Sequence, residues 1–248
     1  MISDIEIVGL SHLPGTARLP ASMPNGPRAI RAWKFLGISR TKMKLYTAYR
    51  APYPRRALMF IREKQIADVE IVNIDLMKNE HRTESFKALS PFARIPVLQL
   101  DDGRALGESR AICSWIEAKF PEPNLMGSDP EERAWIEMHD RRMDFYWMSP
   151  IIAWIRNSLP NMETLVGRQY PDFAQGQREI VFKTAAWLDE QLARQSWVAG
   201  ERFTIADITA FCALEVARVV HFRPRDAGFH ALQEWRDRIA ARDSAGIE

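Results

Sequence analysis

Cysteine is scarce: the 248-residue chain has two, Cys113 and Cys212, far apart and each inside an apolar helical pattern. No Cys-x-x-Cys pair is present, which excludes a disulfide framework and a structural zinc centre. The five histidines (His12, His81, His139, His221, His230) show no paired spacing, so no metal site is expected. An excess of one charge is also missing. With 34 basic and 32 acidic residues the net charge is +2, too small for electrostatic capture of nucleic acid. The Arg55-Arg56 and Arg141-Arg142 pairs are expected on solvated helix faces. The longest apolar stretch, Ile205 to Val220, is broken by Asp207, Thr209 and Glu215 and falls short of the ~20 residues a membrane span needs. Few cysteines and no evident signal peptide point to the reducing cytoplasm.

What is present suits a folded, soluble protein. At 46% hydrophobic and 27% charged, the chain can form one large or two small packed domains. Residues 1–42, with Pro14, Pro20, Pro24 and Pro27 and no useful periodicity, read as a disordered or poorly ordered extension; a transit peptide is the alternative, and Met43 an alternative start. From Met43 the pattern becomes regular. Lys44–Tyr49 reads as a strand, Ala51–Pro54 as a turn, Arg55–Lys64 as a helix, 69–74 as a strand and 84–89 as a short helix. Two further strands and a helix over Ser109–Phe120 complete the order βαβαββα, a thioredoxin-like mixed sheet over residues 43–120. The proline-rich stretch 121–128 breaks helix and is read as a linker.

Residues 129–248 are helical in pattern throughout. A long helix starts at Ser128-Asp129-Pro130-Glu131, and Pro150 is expected to kink or end it. Val181, Ala185, Leu188 and Leu192 form a one-sided apolar stripe. Thr204-x-x-Asp207 is a capping box before a helix apolar nearly all round, expected at the domain's centre.

The stretch Arg94–Ile112 carries the candidate chemistry. Two strand-like runs flank an Asp101-Asp102-Gly103 turn, and Pro96 near the start of the first marks a free sheet edge, since it donates no ladder hydrogen bond. If Ile95–Pro96 is cis, the Ile95 backbone faces sideways, ready to pair with an extended peptide-like ligand. At Glu108-Ser109 a helix start offers unpaired N–H groups and a hydroxyl to a carboxylate. A small acidic peptide satisfies both grips. The plainer reading is a buried turn with a serine N-cap.

Over roughly positions 43–240 the chain resembles the cytosolic glutathione transferases, in its bacterial branch. The motifs that carry the likeness are Met43-Lys44-Leu45-Tyr46, Ala51-Pro52-x-Pro54-Arg55-Arg56, Ser90-Pro91-x-x-x-Ile95-Pro96-Val97-Leu98, Leu106-x-Glu108-Ser109-x-Ala111-Ile112, Pro123-Asn124-Leu125 and Thr204-Ile205-Ala206-Asp207. The resemblance implies an N-terminal glutathione-binding domain, a helical C-terminal domain that receives the electrophile, and a homodimer. It assigns Ile95, beside Pro96, to the cysteinyl backbone of glutathione. Glu108 and Ser109 then take the γ-glutamyl end, and His81 and Arg94 the glycine carboxylate.

The resemblance places the thiol activator of the serine and cysteine classes at Ala51, which has neither hydroxyl nor thiol. Tyr53, two residues on, is the first choice as donor to the sulfur, and Tyr49 at the end of the first strand the second. For both, packing is the alternative. Tyr146, Trp147 and Trp154, near Pro150, are candidates to line the electrophile pocket, against a plain core role. The expected function is activation of the glutathione thiol for attack on a small hydrophobic electrophile or a disulfide. Its rivals are a glutathione-binding or protein-interaction module without turnover, and a glutathione-dependent isomerase, dehalogenase or disulfide reductase.

Overall fold

A computed structural model describes residues 43–160 and 162–246. The readings of residues 1–42 as an extension or transit peptide lie outside the described residues. The first half is a four-stranded sheet with helices, in chain order Met43–Thr47 (β1), Pro52–Glu63 (α1), Val69–Asn73 (β2), Glu84–Lys87 (α2), Val97–Gln99 (β3), Ala105–Leu106 (β4) and Ser109–Lys119 (α3). The strands run β2-β1-β3-β4 across the sheet, with β1 parallel to β2 and antiparallel to β3, and β3 antiparallel to β4. The expected βαβαββα order is therefore the observed one.

Several boundaries differ from the sequence reading by one to three residues, and two of them bear on the site. The helix α1 starts at Pro52, not Arg55. Its first N–H groups have no intrahelical partner in any case, so Pro52 and Pro54 lose nothing there and pre-set the backbone. Strand β1 ends at Thr47 because the chain turns at once, with the Ala51 N–H donating to the Ala48 carbonyl at 2.9 Å.

The second half is all helical: Pro130–Met143 (α4), a π-helical segment Asp144–Met148, Ser149–Ser158 (α5), Glu163–Val166 (α6), Pro171–Leu192 (α7), Ile205–Ala217 (α8) and His230–Ala240 (α9). Pro150 neither ends nor breaks the long helix. It sits in the first turn of α5, directly after the π-helical widening. A proline lacks the N–H that would serve the Tyr146 carbonyl four residues back; the Thr184 hydroxyl of α7 donates to that carbonyl instead, at 2.8 Å.

The helix α8 runs through the centre, with every residue buried except Glu215 and Val216. Its capping box is formed as expected: the Thr204 hydroxyl accepts from the Ala206 N–H, and Asp207 Oδ2 accepts from the Thr204 N–H at 3.0 Å. Asp207 Oδ1 takes two more donors, the Val198 N–H and the Trp235 indole N–H, both at 2.9 Å. One carboxylate thus ties the loop before α8 and the helix α9 to the start of α8. The stripe Val181, Ala185, Leu188 and Leu192 on α7 is buried against this centre. Among the described residues no helix is long and apolar enough to cross a membrane.

The Arg55-Arg56 pair does not lie on a solvated face. Both are buried, Arg55 against the Phe211 ring at 5.1 Å and Glu215 at 3.7 Å. An exposed pair would leave α8 and α1 without the polar bonds that their tight packing requires. The chain's end closes over the same helix: Arg55 Nη2 donates to the Ala245 carbonyl at 2.9 Å, and Arg242 pairs with Glu63 at 2.7 Å.

We expect Thr204→Ala to lower unfolding free energy by about 0.5–2 kcal/mol, the value of a lost N-cap. Asp207→Ala should cost more, because it also strands the buried Val198 and Trp235 N–H groups. Urea unfolding followed by tryptophan fluorescence ranks the two, and equal losses would refute the three-donor role of Asp207.

Candidate functional site

The site is organised on the first turn of α1, the loop before β3 and the start of α3. Ser90 pins that loop: its hydroxyl donates to the Arg94 carbonyl at 2.8 Å and accepts from the Arg94 N–H at 2.9 Å. The next peptide bond, Ile95–Pro96, is cis. Pro96 precedes β3 and does not stand within it, and neither backbone group of Ile95 pairs with another described backbone group. The free sheet edge read from Pro96 is not there, because β3 is interior, paired with β1 and β4; what is unpaired is the Ile95 backbone just ahead of the strand.

At the start of α3 the N-cap is Glu108, not Ser109. Glu108 is exposed and holds φ 56° and ψ 106°, a region that costs a non-glycine residue of order 1–3 kcal/mol. Ser109, the first helical residue, is buried, and its hydroxyl accepts from Arg56 Nε at 3.2 Å and Nη2 at 2.8 Å. This corrects the serine N-cap reading. A hydroxyl has two acceptor sites and one donor hydrogen; Arg56 takes the acceptors, so the O–H remains available.

Arg56 is the centre of a buried ionic network. Its Nη1 donates to Asp144 Oδ1 at 2.6 Å and to the Thr209 hydroxyl at 3.3 Å. Thr209 donates to Asp140, whose other oxygen receives Arg110 and Arg141, each at 2.7 Å. Arg141 also meets Asp144 Oδ2 at 2.6 Å. Burial works against the Arg56 charge, but Asp144 and then Asp140 outweigh it and raise its pKa above the ordinary arginine value. Asp140, which burial pushes up, is held below the usual carboxylate range by Arg56 and Arg110.

Tyr53 lies directly over this network, half-buried in the first turn of α1, with the Arg56 guanidinium 5.5 Å from its ring centre. The residue four back, Tyr49, packs half-buried against the core. Ala51 is the N-cap of α1 and makes no side-chain bond there. Both cysteines are buried, and burial pushes each thiol up to about 12, which leaves neither as a nucleophile.

Tyr53 also forms one wall of a cavity of about 450 Å³. The α5 residues Ser149, Ile152, Ala153, Arg156 and Asn157 form its second wall. Val166, Arg168, Tyr170 and Phe173 close it from the connection into α7. Desolvation in the wall, then the charge of Arg94, hold Arg156 below the ordinary arginine value, while Tyr53 acts the other way. Arg94 likewise lowers the His81 pKa, after burial and Arg82. His81 is 7% exposed, and its Nδ1 has no partner among the described residues. Arg94 thus acts on both Arg156 and His81, while Tyr53 and Arg156 share the cavity lining.

Both halves of the chain match a known family. The profile described as Glutathione S-transferase, N-terminal domain, matches residues 45–124, and that of the C-terminal domain residues 148–238. The chain is 31% identical over 208 residues to glutathione S-transferase 2 of Saccharomyces cerevisiae, covering 83% of this chain and 88% of that one. The chain belongs to the glutathione S-transferase family. A maleylacetoacetate isomerase of Pseudomonas aeruginosa is 30% identical over 67% of this chain and 77% of its own. The crystal structure of a glutathione S-transferase domain-containing protein from Marinobacter aquaeolei superposes with a TM-score of 0.73 at 35% identity, covering 82% of this chain and all of that one.

Within this glutathione S-transferase fold, the three aromatic residues expected at an electrophile pocket are not brought to Tyr53. Trp147 is fully buried and its indole N–H donates to the Ala210 carbonyl at 3.1 Å, a core role. The π-helical turn rotates Tyr146 outward, where it is 59% exposed and lines a separate cleft with Arg142 and Trp187. Trp154 packs half-buried beneath Arg178. The cavity residues Ser149, Ile152, Ala153, Arg156 and Asn157 were passed over, although their spacing puts them on one helix face, opposite the buried Ile151 and Ile155.

Removing Arg56 should be costly. Arg56→Ala leaves the buried Asp144 paired to Arg141 but no longer to α1, and removes the same charge from Asp140, an expected loss of up to about 3–5 kcal/mol, whereas Arg56→Met combined with Asp144→Leu should recover part of it. Chemical denaturation of the three proteins checks this, and an additive double variant would contradict the coupling.

Proposed function

We propose that the chain binds glutathione along the Ile95 edge and the Glu108-Ser109 helix start, and activates its thiol beside Tyr53 for attack on a small electrophile in the adjoining cavity. In this reading Ile95 pairs with the cysteinyl backbone. Glu108 and the Ser109 hydroxyl hydrogen take the γ-glutamyl end, and His81 and Arg94 the glycine carboxylate. Residues 43–120 then form the glutathione-binding domain, 121–128 the linker and 129–248 the domain that receives the electrophile. The observation that carries the proposal is the position of Tyr53, which lines the cavity and touches, through Arg56, the residue at the start of α3.

The magnitudes are sufficient. A thiol of pKa about 8.5 is only ~3% thiolate at pH 7, and lowering it by about two units takes roughly 2.7 kcal/mol. One hydrogen bond from a phenol to a thiolate supplies about 1.5–3 kcal/mol. The first turn of α1 adds up to ~1 kcal/mol through its oriented peptide dipoles. A side-chain donor at position 51 is not required.

The isomerase named among the relatives supports a second reading, in which the same thiolate adds reversibly to an unsaturated substrate and leaves again. A panel of aryl halides, peroxides, disulfides and activated alkenes, each with glutathione, separates transfer, reduction and isomerisation. Tight glutathione binding by calorimetry with no turnover across the panel would favour a binding module instead. The apolar side chains Trp135, Phe145 and Tyr146, each more than half exposed on α4 and the π-helical segment, support a homodimer. Light scattering of the purified protein tests it.

For the transfer reaction, Tyr53→Phe should lower kcat/KM with an aryl halide by about 10- to 100-fold, the equivalent of one hydrogen bond to a charged sulfur. The thiolate absorbance of bound glutathione should titrate at higher pH in the variant. Unchanged activity would move the role to Tyr49 or to the helix terminus.

A further inference from the structure

We propose that the cavity beside Tyr53 selects electrophiles that carry an anionic group, a carboxylate or sulfonate on an apolar, aromatic body, and that Arg156 is the residue that pairs with it. The inference rests on the reading of the preceding section and names the class of its second substrate.

Its basis is the chemistry of the walls. Tyr53, Ile152, Val166, Tyr170 and Phe173 supply a largely aromatic and aliphatic lining suited to a flat apolar ligand. Arg156 and Arg168 stand in the same lining, which contains no acidic side chain. Among the described residues neither of these exposed arginines has an ion-pair partner, unlike the buried Arg55 and Arg56. Arg168 stacks on Tyr170 at 5.2 Å, which orients its guanidinium without neutralising it.

The scaffold that presents Arg156 and Arg168 is built. The Gln169 amide donates to the Arg156 and Leu159 carbonyls at 2.7 and 2.8 Å, and the Tyr170 N–H donates to Asn157 Oδ1 at 3.0 Å. The connection carrying Arg168 is thereby folded back on the end of α5. Arg94 adds a third positive charge close enough to disfavour that of Arg156. An anion placed between them relieves this repulsion and raises the local concentration of acidic ligands. Glutathione supplies only one carboxylate at its glycine end, for which His81 and Arg94 already stand on the sheet half. Arg156 comes from the helical half, on the face turned to the second substrate.

The test compares chlorodinitrobenzene with its carboxylated analogue chlorodinitrobenzoate. In both, the glutathione sulfur forms a bond to the ring carbon, the carbon–chlorine bond breaks and chloride leaves; only the remote charge differs. The wild-type protein should prefer the acid, in kcat/KM corrected for the solution reactivities, by about tenfold, the size of one charge-assisted hydrogen bond in a partly solvated site. Arg156→Gln should abolish the preference and Arg156→Lys should restore part of it, while Arg168→Gln reduces it to a smaller degree. No preference in the wild type overturns the proposal. So does an Arg156→Gln variant whose KM for glutathione rises equally with both electrophiles, because the residue then serves the tripeptide. If neither compound is turned over, the proposed transferase reaction fails, and displacement of anilinonaphthalene sulfonate by dinitrobenzoate and dinitrobenzene decides the inference separately. Stronger, Arg156-dependent displacement by the acid supports it, and equal displacement overturns it.

Discussion

One buried guanidinium ties the first helix to the helical half directly beneath Tyr53. Arg56 leaves the helix α1, passes beneath Tyr53, and meets Ser109 of α3, Asp144 of the π-helical segment and Thr209 of α8. A charge removed from water is tolerated only when its donors are satisfied and opposite charge is close. Asp144 and Asp140 meet that demand, and Arg110 and Arg141 neutralise them in turn. Because each member would be costly alone, the four helical elements are held in one register. The wall that carries Tyr53 and the start of α3 cannot shift independently.

The site inherits its rigidity from that arrangement. The first turn of α1 fixes Tyr53; the strained Glu108 and the doubly engaged Ser109 fix the start of α3; the Ser90 hydroxyl fixes the loop that ends in Ile95. Each device is a local hydrogen-bond or backbone constraint; of these residues Tyr53 lines the cavity, whose other walls belong to the helical half. Arg156 and Arg168 stand in those walls, in the half matched by the C-terminal domain of the glutathione S-transferase family.

Much of this was legible in the residue order. The strand-like runs over 44–49 and 69–74, the Asp-Asp-Gly turn, the Thr204–Asp207 capping box and the stripe on α7 are local signals, each set by the 2.0 or 3.6 periodicity or by a side chain reaching its own backbone. Ionic partners are not local. Arg55-Arg56 reads as an exposed pair because nothing nearby in sequence neutralises it; Asp144 and Glu215 do so from far along the chain. The aromatic run at 145–147 was misplaced for a related reason. Those residues were chosen for their nearness to Pro150, and consecutive helical residues face different sides, so Trp147 falls in the core while Tyr146 stays exposed.

By itself the sequence determined the family, the order of the elements and the absence of a thiol or hydroxyl at position 51, because these depend on residue identity and short-range spacing. Only the tertiary structure decided that Ser109 is claimed by Arg56, that Trp147 belongs to the core, and that Arg156 and Arg168 share a cavity with Tyr53. Those facts depend on which distant surfaces come into contact, and a chain read one residue at a time holds no measure of that distance.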